Sequence, residues 1–220
     1  MHFRAAHVDG SGRKARSRWR GLLGAAVLAA GAAMPAGAVI TTVSDSGGVY
    51  AISLRVGSLT GIDTVAFSVT GNNVALTPTA VTGSQTIDVS VTPIRPANSS
   101  ATARPVTLKV DSQLGLPCQS GGCTGITIPF SEISWVASNN GAAATGDIQS
   151  GRFTGAPDQQ IASFNANATF CSLPLIIFCL GYTYQSNAMN ATRLQFSYDN
   201  DVVYPAGNYR GTVRFTASME

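Results

Sequence analysis

With 14 Lys and Arg against 11 Asp and Glu in 220 residues the chain is nominally basic, but six of the basic residues and one acidic residue fall in the first 38. The other 182 residues carry 8 basic against 10 acidic groups, a net of −2, and offer no basic patch of the kind nucleic-acid binding requires. Both histidines, His2 and His7, also lie in that first stretch, so the remainder lacks the usual general base of a serine or cysteine triad and no enzymatic activity is expected.

The first element in chain order is a leader. Arg13, Lys14, Arg16, Arg18 and Arg20 form a basic stretch, the apolar run GLLGAAVLAAGAAM follows, and Pro35, Ala36, Gly37 and Ala38 close it. This is the layout of a secretory signal peptide cleaved after Ala38. A permanent anchor is the alternative, but the run is short for the about 20 residues of a membrane span and is rich in Gly and Ala. No Cys follows to accept a lipid, and no adjacent Arg pair marks a twin-arginine signal. Residues 1–38 are therefore expected to be removed, leaving 39–220 as one exported domain with no membrane span.

That domain is rich in Thr, Ser, Val, Asn, Ala and Gly and poor in Lys, Glu and Leu, a usage that favours strands joined by turns. VYAISLRV (49–56) sets Tyr50, Ile52, Leu54 and Val56 on one face; TVAFSV (64–69) follows, and GNN (71–73) interrupts. In TIDVSVT (86–92) Ile87, Val89 and Val91 oppose Asp88, Ser90 and Thr92, and in VTLKV (106–110) Val106, Leu108 and Val110 oppose Thr107 and Lys109. GITIPF (125–130), EISWV (132–136), QIASFNA (160–166), the apolar run at 170–180 and RLQFSY (193–198) are further strand candidates. The stretch from Ser138 to Asp158 reads as a long irregular connection with one short strand near Phe153.

From Tyr209 the alternation is strict. Tyr209, Gly211, Val213, Phe215, Ala217 and Met219 share one face, and Arg210, Thr212, Arg214, Thr216 and Ser218 the other. This terminal strand is expected to put Tyr209, Val213 and Phe215 in the core and to fold back on 193–198 as a hairpin. Roughly ten short strands at this spacing predict an all-β antiparallel sandwich or barrel.

The cysteines, at 118, 123, 171 and 179, all follow the leader and should pair in an exported chain. Near-neighbour spacing favours Cys118–Cys123 and Cys171–Cys179 among the three connectivities. Neither pair has zinc-knuckle spacing and no His remains, so no metal or other cofactor is expected. The second pair encloses Leu173, Pro174, Leu175, Ile176, Ile177 and Phe178. Projecting, Leu173, Leu175, Ile176, Ile177 and Phe178 would form a sticky contact loop. Facing inward they would be core, the favoured reading because isolated apolar runs are usually buried. Asp45-Ser46-Gly47 lacks the second Asp segment of an aspartic protease, and Asp199-Asn200-Asp201 lacks the Gly and distal Glu of a calcium loop, so both read as turns. Asn98-Ser-Ser, Asn167-Ala-Thr and Asn190-Ala-Thr match the N-glycosylation pattern.

The C-terminal segment, YPAG followed by Tyr-Arg-Gly-Thr-Val-Arg-Phe-Thr-Ala, resembles the last strand of bacterial secreted pilin-like proteins, both spore-coat-U-type proteins and chaperone–usher fimbrial subunits. The resemblance implies an immunoglobulin-like sandwich of about 8–10 strands, exported through the periplasm to the medium or the cell surface. It also implies identical or related subunits as partners by strand addition, and a periplasmic chaperone. Three features depart from the pattern: the first cysteine after the leader is Cys118, Met219 stands at the usual penultimate Tyr, and VITTVSDSGG (39–48) alternates poorly for a donor strand. The expected function is a secreted structural or adhesive surface component, a pilin-like subunit. The alternative is a self-contained immunoglobulin-like binding module, with an enzyme a distant third.

Overall fold

Strands with alternating apolar residues bury one face each, and two sheets built from them bury both by facing one another. The computed structural model describes residues 2–5, 39–44, 50–57, 64–70, 73, 77–94, 104–171, 174–175, 178–179 and 182–220; for most residues of the strands at 2–5, 39–44 and 168–185 it describes the backbone alone. In chain order the strands are β1 (His2–Ala5), β2 (Val39–Ser44), β3 (Ala51–Val56), β4 (Val81–Ile94), β5 (Pro105–Asp111), β6 (Leu116–Pro117), β7 (Thr127–Ile128), β8 (Ile133–Ser138), β9 (Gly151–Arg152), β10 (Gln159–Asn165), β11 (Asn167–Cys171), β12 (Pro174–Leu175), β13 (Phe178–Cys179), β14 (Tyr182–Ser186), β15 (Thr192–Tyr198) and β16 (Thr212–Met219).

Two sheets form an antiparallel β-sandwich. One has six strands in the order β2-β3-β4-β15-β8-β9, and the other four in the order β1-β16-β5-β10. Ile87, Val89 and Val91 of β4 and Leu194 and Phe196 of β15 meet Val106, Leu108 and Val110 of β5 and Val213 and Phe215 of β16 in one buried core. At about 1.5–3 kcal/mol for each large apolar side chain, this double row is the main stabilising contribution. Beside it Phe153 stacks on Phe196 at 5.9 Å and lies 4.9 Å from Trp135, ring centre to ring centre. The buried indole satisfies its polar end by donating to the Gln149 carbonyl at 2.8 Å.

The terminal strand corrects one expectation. It does not form a hairpin with 193–198: β15 pairs with β4 and β8, whereas β16 pairs with β5 in the other sheet. Both edges of β15 are already taken, so residues 199–211 arch across the sandwich and let the two apolar faces approach one core from opposite sides. The predicted strand at 64–69 is also absent beyond a single bridge at Thr64. Ser84 and Gln85 of β4 hold this segment with their side chains in place of a full ladder, Ser84 Oγ accepting from Ala66 N at 3.0 Å and Gln85 Nε2 donating to the Thr64 carbonyl. Val65 is buried above Gly83, where any Cβ would collide with it. Of GITIPF only Thr127–Ile128 is strand, and a 3-10 turn at Phe130–Glu132 follows. The connection after Ser138 is irregular as predicted, with β9 just before Phe153.

Four short strands between 167 and 186 pair apart from the two sheets. β11 pairs with β14 and, in the same register, β12 pairs with β13, so Asn167 opposes Ser186 and Leu175 opposes Phe178. Phe178 is 63% exposed, which corrects the core reading at that residue. The side chains of Leu173, Leu175, Ile176 and Ile177 lie outside the described residues, as does the Asp45-Ser46-Gly47 turn. Cys118 and Cys123 are disulfide-bonded with Cα atoms 5.7 Å apart. Cys171 stands opposite Tyr182 and Cys179 opposite Pro174; their sulfur atoms lie outside the described residues.

Candidate functional site

Two features of the sandwich are placed to meet something else. The first is the outer edge of β16. On its inner side β16 pairs antiparallel with β5; on the other, His2–Ala5 lie parallel to it, His2 beside Thr212 and Ala5 beside Phe215. β1 also packs against β3 and β2 of the facing sheet, so it fills the side of the sandwich between the two sheets. The edge of β16 away from β5 is thus paired with β1. Val213 and Phe215, predicted as core, are fully buried here, while Thr212, Arg214 and Thr216 face solvent.

The second feature is a cleft where the 199–211 arch crosses between the sheets. Tyr198 closes β15, Asn200 turns the chain with φ 57°, and Tyr204 and Tyr209 follow on the arch. An Asn tolerates this left-handed conformation, and its amide is fastened by donating to the carbonyls of Asn73 at 2.8 Å and Thr79 at 3.0 Å. The far end of the arch rests on the disulfide loop. Gln119 N donates to the Asn208 carbonyl at 2.7 Å, Asn208 N donates to Ser120 Oγ at 3.1 Å, and Cys118 bridges to Tyr209. The Tyr209 hydroxyl donates to the Pro205 carbonyl at 2.8 Å, bracing the turn from within.

So held, the arch borders a cleft of about 260 Å³ lined by Val69, Asn73, Pro78, Ile128, Tyr198, Tyr204 and Tyr209 among others. A second hollow of about 420 Å³ shares Val69, Ile128, Tyr198 and Tyr209 with it. Val203, on the cleft wall, is 76% exposed, and Val69 43%.

Two of these phenols, Tyr198 and Tyr204, feel the charge of Glu132 and Asp201. Glu132 is pushed up to about 7, first by burial and then by the hydrogen bond and negative charge of Asp201, with Asp199 adding to the effect and Arg152 opposing it. Its Oε2 is buried without a hydrogen-bond partner. Burial, and then the charge of Glu132, drives Tyr198 to about 12, and the same two causes raise Tyr204. Asp199 is engaged on both oxygens, accepting from Ser134 Oγ at 2.6 Å and from Arg152 Nη2 at 2.6 Å. Within Asp199-Asn200-Asp201, then, one carboxylate is ion-paired and the amide is fastened to backbone.

The predicted site residues do not converge. Tyr209 lies on the cleft, Val213 and Phe215 lie in the core, and Phe178 lies on β13. Glu132, Tyr198 and Tyr204 were not anticipated. The signal available was the isolated Glu132 between Phe130 and Ile133, whose burial depends on a 3-10 turn that alternation does not reveal. Comparison of the chain with family models, with curated proteins and with solved structures finds no match.

Proposed function

We propose that this chain is an exported, pilin-like structural or adhesive subunit of the immunoglobulin-like kind, which accepts a strand along β16. One observation carries the reading: the edge of β16 away from β5 holds a parallel strand, and that strand comes from the segment whose sequence reads as a leader. Removal of residues 1–38 on export opens this edge. An exposed edge beside a buried core recruits another strand. The partner is then an identical or related subunit, or a periplasmic chaperone that covers the edge until a subunit arrives. The role is building and binding, not catalysis.

The cleft favours a second reading, a self-contained binding module. The two separate in the sheared surface fraction of the producing cells, run unreduced with and without boiling. A ladder of this chain that collapses on heating supports subunit assembly. A single monomer band before and after heating sinks it and leaves the binding module.

A further inference from the structure

We infer that an amide-rich hollow beside β10 binds a carbohydrate. The inference is independent of strand acceptance at β16, because β10 ends the four-stranded sheet on the side away from β1. The hollow holds about 580 Å³, within the about 300–1,000 Å³ usual for small-ligand sites. Three segments bound it. Gly146, with φ 80°, brings the loop after β8 against β10, its carbonyl accepting from Ser163 N at 2.9 Å. Opposite, the buried Met189 donates its N–H to the Val91 carbonyl at 3.0 Å and Asn187 N donates to the Ala166 carbonyl at 2.8 Å, which fixes residues 187–190.

Asp147, 5% exposed, positions one contact group. It accepts from Gly141 N at 2.7 Å, from Asn190 N at 3.2 Å and from Asn190 Nδ2 at 2.8 Å. The Asn187 amide is held in the same manner, Nδ2 donating to the Asn165 carbonyl at 3.0 Å. Two side-chain carbonyls, of Asn187 and Asn190, are thus oriented before any ligand arrives. No hydrogen bond within the described residues occupies those carbonyls, the Asn165 side-chain amide or the Ser163 hydroxyl, and all four residues line the hollow. Such a mixture of fixed acceptors and free donors matches neighbouring hydroxyl groups, each of which both donates and accepts. Exposed Pro105 and Ala188 add apolar surface for the C–H face of a sugar ring. A cation matches less well. Asp147 is the one charged residue among the described residues of the lining, and three N–H donors already meet it, whereas calcium affinity grows with the number of charged ligands.

The test titrates the ¹⁵N-labelled protein with the methyl glycosides of glucose, galactose, mannose and N-acetylglucosamine. It reads the side-chain amide signals of Asn165, Asn187 and Asn190, each assigned by a single Ala substitution. The expected result is saturable shifts of these signals by at least one glycoside, and none by butane-1,4-diol, calcium chloride or methylammonium chloride. Asn165→Ala and Ser163→Ala should each weaken binding about fivefold, the scale of one hydrogen bond. Both positions are exposed, so these variants keep the test open should Asn190→Ala misfold. Absence of saturable shifts with every glycoside overturns the inference, and so do equal shifts with calcium or methylammonium. Affinity that survives Asn165→Ala and Ser163→Ala but falls on Tyr204→Phe also overturns it, by moving the sugar to the arch cleft.

Discussion

Gly207 lies so close over the disulfide that a Cβ on it would overlap the Cys123 sulfur. Gly207→Ala must therefore lift the arch off the disulfide loop, at a cost of about 1–3 kcal/mol from overpacking. Opening the loop with Cys118→Ser and Cys123→Ser removes about 2 kcal/mol by the loop-closure relation. Without the bridge the side chain at position 123 can turn away from the arch, so the combined variant should lose less than the sum of the two effects. Urea unfolding of all three variants checks this, and simple additivity would show that the arch does not rest on the bridge.

Phe215 and its neighbour Thr216 point to opposite faces of β16, one fully buried and one exposed. Phe215→Asp or Val213→Asp puts an unpaired charge in the core, and folded protein should disappear. Thr216→Asp should cost less than about 1 kcal/mol. Yield of soluble protein, with circular dichroism of whatever is recovered, separates them.

Glu132 makes stability depend on pH in a defined direction. Its carboxyl titrates at about 7 in the folded chain against an ordinary value of 4.5. Below 4.5 the group is protonated in both states. Between 4.5 and 7 the unfolded chain releases a proton that the folded chain retains, so stability falls as pH rises through this window. The loss is complete above 7. Glu132→Gln should flatten that part of the profile and gain stability over the parent at the alkaline end, as read from unfolding midpoints across the window.

Phe178→Ser tests β13. With the ring 63% exposed, the substitution should leave the unfolding midpoint within about 0.5 kcal/mol of the parent. A buried Phe would cost about 3–5 kcal/mol on truncation, a difference that a single denaturation curve resolves.

Alternation made most of the strands legible. Ile87, Val89 and Val91, Val106, Leu108 and Val110, and the whole of 212–219 bury the face their spacing predicts. What alternation leaves open is which edge a strand pairs with, because both edges carry the same backbone groups. That β16 pairs with β5 and not with β15 depends on β4 and β8 having taken both edges of β15. At 64–69 the pattern is that of a strand, but Ser84 and Gln85 satisfy its backbone through side chains, which a period of two does not encode. The cleft was less legible still. Tyr209 was marked as a core residue of the terminal strand, and it acquires its place on the cleft wall only because the arch is pinned by Asn200 and Ser120.

The pairing of β16 with β5 also sets a schedule. Thr107 Oγ1 and Ser218 Oγ lie 2.8 Å apart across that pair but 111 residues apart along the chain. Contacts of such separation form slowly, after the entropy of closing a very large loop has been overcome. As the chain is made from its N-terminus, β5 becomes available long before its partner. For that interval the inner face of β5, with Val106, Leu108 and Val110, lacks the neighbour that completes its sheet and is open to non-native contacts.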